Sequence, residues 1–176
     1  MMKKGLIHIY CGDGKGKTTA SLGLAVRCAG RGRRVLIVQF LKSQDTGELH
    51  TLEKIPGIMF LRGEESFGFY NQETNEQKEQ RRIIYNKILQ QAISACCEGQ
   101  VDLLILDEAV ASYNYDLIDR SLLLEFLRTK PEGLEVVMTG RGPAEELLDL
   151  ADYVSEVKKI KHPYDKGIKA RLGIER

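Results

Sequence analysis

Cys11-Gly12-Asp13-Gly14-Lys15-Gly16-Lys17-Thr18-Thr19 follows the apolar run Leu6-Ile7-His8-Ile9-Tyr10 and leads into Ala20-Ser21-Leu22-Gly23-Leu24-Ala25-Val26. Strand, glycine-rich turn and helix in this order are the context that a phosphate-binding loop requires. A triphosphate needs donors for several negative charges, and a helix N-terminus offers unpaired N–H groups and partial positive charge. Glycines let the backbone approach the phosphates because no Cβ intervenes. On this reading Lys17 reaches the β- and γ-phosphates and the Thr18 hydroxyl ligates Mg²⁺. The usual pattern places a glycine five residues before the Gly-Lys pair. Cys11 stands there instead, so Gly12 and Gly14 are expected to form the turn.

Working outward, Leu6 to Tyr10 reads as a buried strand. Thr18 to Ala29 reads as a helix that ends at Gly30-Arg31-Gly32. Val35 to Phe40 is continuous and β-branched, as in a parallel strand covered on both faces. A polar loop is expected from Lys42 to Glu48 and a short strand over Ile58–Leu61, followed by an irregular stretch from Gly63 to Asn75. Glu76 to Cys97 reads as a helix, with Ile84, Ile88, Ala92 and Cys96 on one face. A strand from Val101 to Leu106 ends in Asp107-Glu108. Then come a helix (Leu117–Leu127), a strand (Leu134–Met138), a helix over Ala144–Leu150 with Pro143 in its first turn, and a last strand (Tyr153–Val157). The tail from Lys158 to Arg176 is polar and irregular. Alternating strands and helices imply an α/β fold, a three-layer RecA-like arrangement around a mostly parallel central sheet. Ligands in such folds sit at the C-terminal strand ends, where the phosphate loop, Gln39, Asp107-Glu108 and Thr139-Gly140-Arg141 all fall.

The chain has 176 residues, read as one domain over residues 1–176. Lys plus Arg number 26 and Asp plus Glu 25, a net charge of +1. That balance argues against a nucleic-acid or membrane-surface protein. Basic residues predominate in the first third, and Arg31, Arg33 and Arg34 sit where a helix dipole favours cations. Cys11, Cys28, Cys96 and Cys97 have neither zinc-site nor disulfide-framework spacing. Reduced thiols in a cytoplasmic protein are expected. The apolar runs are too short to span a bilayer, and with Met1-Met2-Lys3-Lys4 ahead of Gly5 no signal peptide is expected.

Asp107 and Glu108 end an apolar strand, the expected place for a second Mg²⁺-binding element. Mg²⁺ takes one or two carboxylates together with phosphate oxygens and water. Arg27 either folds back toward the nucleotide or is solvated. Lys15 either adds charge near the phosphates or is a solvated loop residue. Arg141, between two glycines, reads as a ligand contact. His8 and His50 read as structural, and His162 as a nucleotide or partner contact. Phe67, Phe69 and Tyr70 form either a satellite core or a cofactor contact. Residue patterns therefore lead to a Mg-nucleotide site with no acceptor named. They leave open a P-loop kinase or ATPase and a non-enzymatic nucleotide-binding protein.

The motifs together resemble the P-loop type ATP:corrinoid adenosyltransferases. Gly12-Asp13-Gly14-Lys15-Gly16-Lys17-Thr18-Thr19-Ala20 is similar to that family's loop, and Val38-Gln39-Phe40-Leu41-Lys42 to its second strand and exit. Leu106-Asp107-Glu108, Thr139-Gly140-Arg141-Gly142, Lys161-His162-Pro163-Tyr164, Gly167-Ile168-Lys169-Ala170-Arg171 and Gly173-Ile174-Glu175 are similar as well. The resemblance implies transfer of the 5′-deoxyadenosyl group of ATP to the Co(I) centre of a corrinoid, with triphosphate released. It implies nucleotide contacts along Gly12–Thr19 and Mg²⁺ on Thr18 and Glu108 with Asp107 close by. Phe67 and Phe69 take the role of displacing the lower axial ligand of the corrinoid. The chain has no tryptophan, and Phe69 stands where some members carry one. Also implied are a flavoprotein-type reductase as electron donor, a homodimer, and no nucleic-acid or membrane partner. An N-terminal cap found in some members is expected to be absent or supplied by a partner subunit.

Overall fold

A computed structural model of the protein describes residues 4–42, 46–63 and 73–175. Six strands form one sheet: β1 (Ile7–Cys11), β2 (Val35–Gln39), β3 (Ile58–Arg62), β4 (Leu103–Asp107), β5 (Glu135–Thr139) and β6 (Tyr153–Glu156). Their order is β3-β2-β4-β5-β1-β6, and the pairings are parallel. The helices are α1 (Lys17–Ala29), α2 (Gly47–Leu52), α3 (Asn75–Cys97), α4 (Ala109–Asn114), α5 (Arg120–Thr129) and α6 (Glu145–Leu148).

Side chains alternate across a strand with period two, and this divides the core. Ile7, Ile9, Leu36, Val38, Leu104, Leu106, Val136 and Met138 pack with α3 and α5 in one cluster. Val35, Ile37, Leu103, Ile105 and Val137 pack with Ala25 and Ala29 of α1 in the other. Continuing that second row to the strand ends brings Gln39, Asp107 and Thr139 onto the α1 face. All three are buried. The row that builds one core layer thus ends in the polar groups of the site.

The helix over α3 starts at a capping box in which Thr74 and Gln77 exchange hydrogen bonds, satisfying two orphan donors. The expected helix from Leu117 begins instead at Arg120, because Asp119 caps it and accepts from the Leu122 N–H at 3.0 Å. Leu117 and Ile118 are buried ahead of it. The Lys42–Glu48 loop gives way to α2, whose Leu49 and Leu52 are buried. Helix α6 is one turn long, with Ala144 at its N-cap and Pro143 outside it. No helix among the described residues is long and apolar enough to cross a membrane.

Two glycines give a contrast of opposite sign. Gly12 has φ +104°, and a Cβ there would lie 2.4 Å from the Val157 carbonyl oxygen. Gly23 sits on the exposed side of α1 with nothing within 4 Å of a built Cβ. Gly12→Ala is expected to destabilise by about 2 kcal/mol or more. Gly23→Ala should stabilise by roughly 0.5–1 kcal/mol. Denaturant midpoints of both variants check this, and a shift of the same sign in both contradicts it.

Candidate functional site

The loop between β1 and α1 is braced from behind. Gly14 N–H donates to the Val157 carbonyl at 2.7 Å, and Lys159 N–H donates to Asp13 Oδ1 at 2.9 Å. A Cβ on Gly14 would lie 2.7 Å from the Val157 oxygen. Glycine at position 14 therefore serves the close approach of the segment after β6. Gly12 makes the turn with positive φ, as expected, and Gly16 does so at the helix N-cap with φ 120°. Cys11 ends β1 as a buried core residue.

Lys17 is 8% exposed, and its ammonium donates to the Gly14 carbonyl at 2.9 Å. Burial pushes its pKa down, with the charge on Glu108 the largest opposing effect. A poorly hydrated cation at a helix N-terminus is a strong seat for an anion.

Asp107 is fully buried at the end of β4. Strand β5 lies between β4 and β1, and its last residue fills the gap. The Thr139 hydroxyl donates to Asp107 Oδ1 at 2.6 Å and accepts from the Glu108 N–H at 2.9 Å. Thr18 Oγ1 donates to the same Oδ1 at 2.8 Å. Lys42 Nζ donates to Oδ2 at 2.7 Å and lies 3.4 Å from Thr18 Oγ1. Glu108 adopts left-handed φ 58° as the N-cap of α4. Burial raises its carboxyl pKa, reinforced by the charge on Asp107.

Lys17, Thr18, Lys42 and Glu108 border a cavity of about 840 Å³, which Gly12, Asp107 and Thr139 do not line; its volume is within the size range of small-molecule sites. Asp13, Gly14, Lys15, Gly16, Lys17, Thr18, Thr19, Glu108 and Arg141 line it. Arg27 does not: it lies exposed in the last turn of α1. Ten residues beyond Lys17 amounts to about 15 Å along a helix. Phe67 and Phe69 lie outside the described residues. His8 pairs with Glu135 on the sheet face. His162 lines the cavity, its Nδ1 accepting from the Tyr164 N–H at 3.2 Å. Sequence reasoning gave no site role to Lys42, Leu41 or the start of α2, which also line the cavity.

The donor set fits a hard divalent cation. Thr18 Oγ1 meets Asp107 Oδ1, the Lys42 ammonium already supplies a cation at Asp107 Oδ2, and Glu108 lines the same cavity as Thr18 and Lys42. Gln39, 1% exposed on the same sheet face, has both amide atoms without a hydrogen-bond partner. An orphaned buried amide there suits the water shell that Mg²⁺ retains. Among the described residues no three His, Cys, Asp or Glu side chains converge to hold a metal, so phosphate oxygens would complete the coordination.

The sequence matches the family described as ATP:corrinoid adenosyltransferase BtuR/CobO/CobP over residues 3–176. It is 34% identical to the corrinoid adenosyltransferase of Escherichia coli K12, covering 98% of this chain and 86% of that protein. The corrinoid adenosyltransferase CobA of Salmonella typhimurium LT2 is also 34% identical over the same shares. The corrinoid adenosyltransferase of Sinorhizobium sp. is 36% identical, covering 98% of this chain and 81% of the relative. Among solved structures, EssC (ATPases 2 and 3) from Geobacillus thermodenitrificans superposes with TM-score 0.54 at 17% identity. The match covers 98% of this chain but only 35% of that one, and it is a likeness of fold.

Proposed function

The chain belongs to the ATP:corrinoid adenosyltransferase BtuR/CobO/CobP family, and from that membership we propose the roles its residues take. The reaction is ATP-dependent adenosylation of a corrinoid. The nucleophile is the Co(I) of the corrinoid substrate. A Co–C bond forms at C5′ of the ribose, the C5′–O bond breaks, and triphosphate leaves with the electron pair. The loop Gly12–Thr19 holds that leaving group, with Asp13, Lys15, Thr19 and Arg141 at its margins. Lys17 and the N–H groups at the start of α1 meet the negative charge that grows as the C–O bond lengthens. Thr18 and Glu108, with Asp107 close by, would hold Mg²⁺, which would add positive charge at the triphosphate. The walls of the cavity orient C5′ toward the corrinoid.

The observation that carries this reading is that Lys17, Thr18 and Glu108 line one cavity large enough for a nucleotide, with Thr18 hydrogen-bonded to the buried Asp107. Phe67 and Phe69 are proposed to face the corrinoid and displace its lower axial ligand. A flavoprotein-type reductase supplies the electron, residues 1–176 act as one domain in a homodimer, and the setting is the cytoplasm. Four free cysteines suit that reducing compartment. The test is product analysis with ATP, Mg²⁺ and reduced corrinoid. Adenosylcorrinoid and intact triphosphate are expected, whereas ADP and phosphate would indicate a kinase or ATPase. Unaltered ligands would indicate a carrier.

Phe69→Ala is expected to slow the reaction from Co(II) corrinoid more than from corrinoid already reduced to Co(I), with ATP affinity nearly unchanged. Parallel assays from the two starting states check this, and equal slowing from both contradicts the aromatic role.

A further inference from the structure

We propose that Lys42 occupies the divalent-cation seat of the nucleotide-free protein as a built-in counter-cation, and leaves it when a triphosphate offers its ammonium another anion. The inference rests on reading Thr18, Asp107 and Glu108 as that seat. Its starting point is the Asp107 carboxylate, fully buried. An ionised carboxylate away from water needs a compensating charge. Two hydroxyls, Thr18 and Thr139, donate to Oδ1 but carry none. The positive charge comes from Lys42 Nζ at 2.7 Å from Oδ2. The same ammonium lies 3.4 Å from Thr18 Oγ1, between the oxygens a divalent ion would use. Two cations cannot share that space.

Lys42 is built to hold this position and to give it up. Its backbone is anchored on both sides. Leu41 takes left-handed φ 55°, and its N–H donates to the Tyr85 hydroxyl at 2.6 Å. The Arg62 guanidinium donates to the Lys42 carbonyl at 3.3 Å. The side chain itself is 25% exposed and lines the same cavity as Lys17. A lysine stem has four rotatable bonds and a compact charged head. With the backbone fixed, it can swing from Asp107 toward phosphate oxygens in the cavity, and a second carboxylate, Glu48, lies 3.8 Å from Nζ. Metal and nucleotide then enter as a coupled pair, because the triphosphate draws away the cation that keeps the metal out. Coupling of this kind is reciprocal in binding free energy.

The test titrates Mn²⁺ into the nucleotide-free protein, following the free-ion EPR signal and the melting temperature. A site blocked most of the time binds more weakly by the unblocked fraction, so Lys42→Met is expected to bind Mn²⁺ about 10–100-fold more tightly than the parent. Without metal this variant should melt lower than the parent, and Mn²⁺ should raise its melting temperature more. Lys42→Gln, whose amide still donates to Asp107 but carries no charge, should show the same gain and keeps the test decisive should Lys42→Met fail to fold. Affinity equal to or below that of the parent overturns the proposal. If Mn²⁺ then still binds alongside a non-hydrolysable ATP analogue and Glu108→Gln abolishes that binding, the seat stands and only the role of Lys42 falls. If Glu108→Gln changes nothing even with the analogue, the seat and the proposal fall together.

Discussion

Lys17→Ala is expected to cut turnover by roughly 10²–10³-fold or more, the loss seen when one donor to a developing oxyanion is removed from a preorganised site. The basis is the position of the charge. Lys17 is almost wholly buried, its ammonium is held by the Gly14 carbonyl, and burial pushes its pKa down. Such a cation has little water to lose when an anion arrives, so little reorganisation opposes the reaction. The departing triphosphate gains negative charge as the C–O bond breaks, so the interaction strengthens toward the transition state and the deficit should fall on kcat as well as KM. Lys17→Arg keeps the charge but puts a planar fork where a point charge fits, and should recover only part of the loss. Steady-state kinetics with ATP and reduced corrinoid measure both variants. A kcat within tenfold of the parent would place the chief stabilisation of triphosphate elsewhere.

Arg81→Met should destabilise the protein by about 3–5 kcal/mol, the range for leaving one member of a buried ion pair uncompensated. Arg81 is 3% exposed on α3, paired with Glu73, and its guanidinium also donates to the Tyr85 hydroxyl at 2.8 Å. Glu73 is buried as well. Removing the cation leaves that carboxylate buried with its main partner gone. The double variant Arg81→Met/Glu73→Leu removes both charges and should regain most of the loss, since apolar replacements of a whole pair are often neutral. Chemical denaturation of the two variants and of Glu73→Leu closes the cycle. A loss under about 1 kcal/mol in Arg81→Met contradicts the reading.

The opening strand, loop and first helix were legible because a run of apolar residues, three glycines and a Gly-Lys-Thr step carry a local physical requirement. Strands β2 and β4 were legible for a similar reason: both are buried on two faces and need no periodicity to be seen. Helix α4 was not, because Glu108 turns from strand to helix in a left-handed conformation that a non-glycine residue does not announce. Helix α2 spans six residues with two buried leucines, too short a repeat to stand out in a polar loop. Lys42 was read only as the start of a polar loop and the end of a strand exit, because its partner Asp107 lies 65 positions away and only the adjacency of β2 and β4 joins them. Arg27 was left open by sequence spacing, and the length of α1 carries it away from the cavity. Gly14 was expected to help form the turn, and what the sequence could not show is that the backbone beyond β6 also needs the space a Cβ there would fill.

The bracing of the phosphate loop by the segment after β6 has a consequence for how the protein is made. Strand β1 sits between β5 and β6, and Asp13 meets Lys159 across 146 positions. At synthesis rates of about 5–20 residues per second, the loop leaves the ribosome roughly 7–30 s before the residues that support it. The motif translated first is thus among the last to take its working shape, and a nascent chain halted before Val157 has the nucleotide-binding residues without the scaffold that holds them.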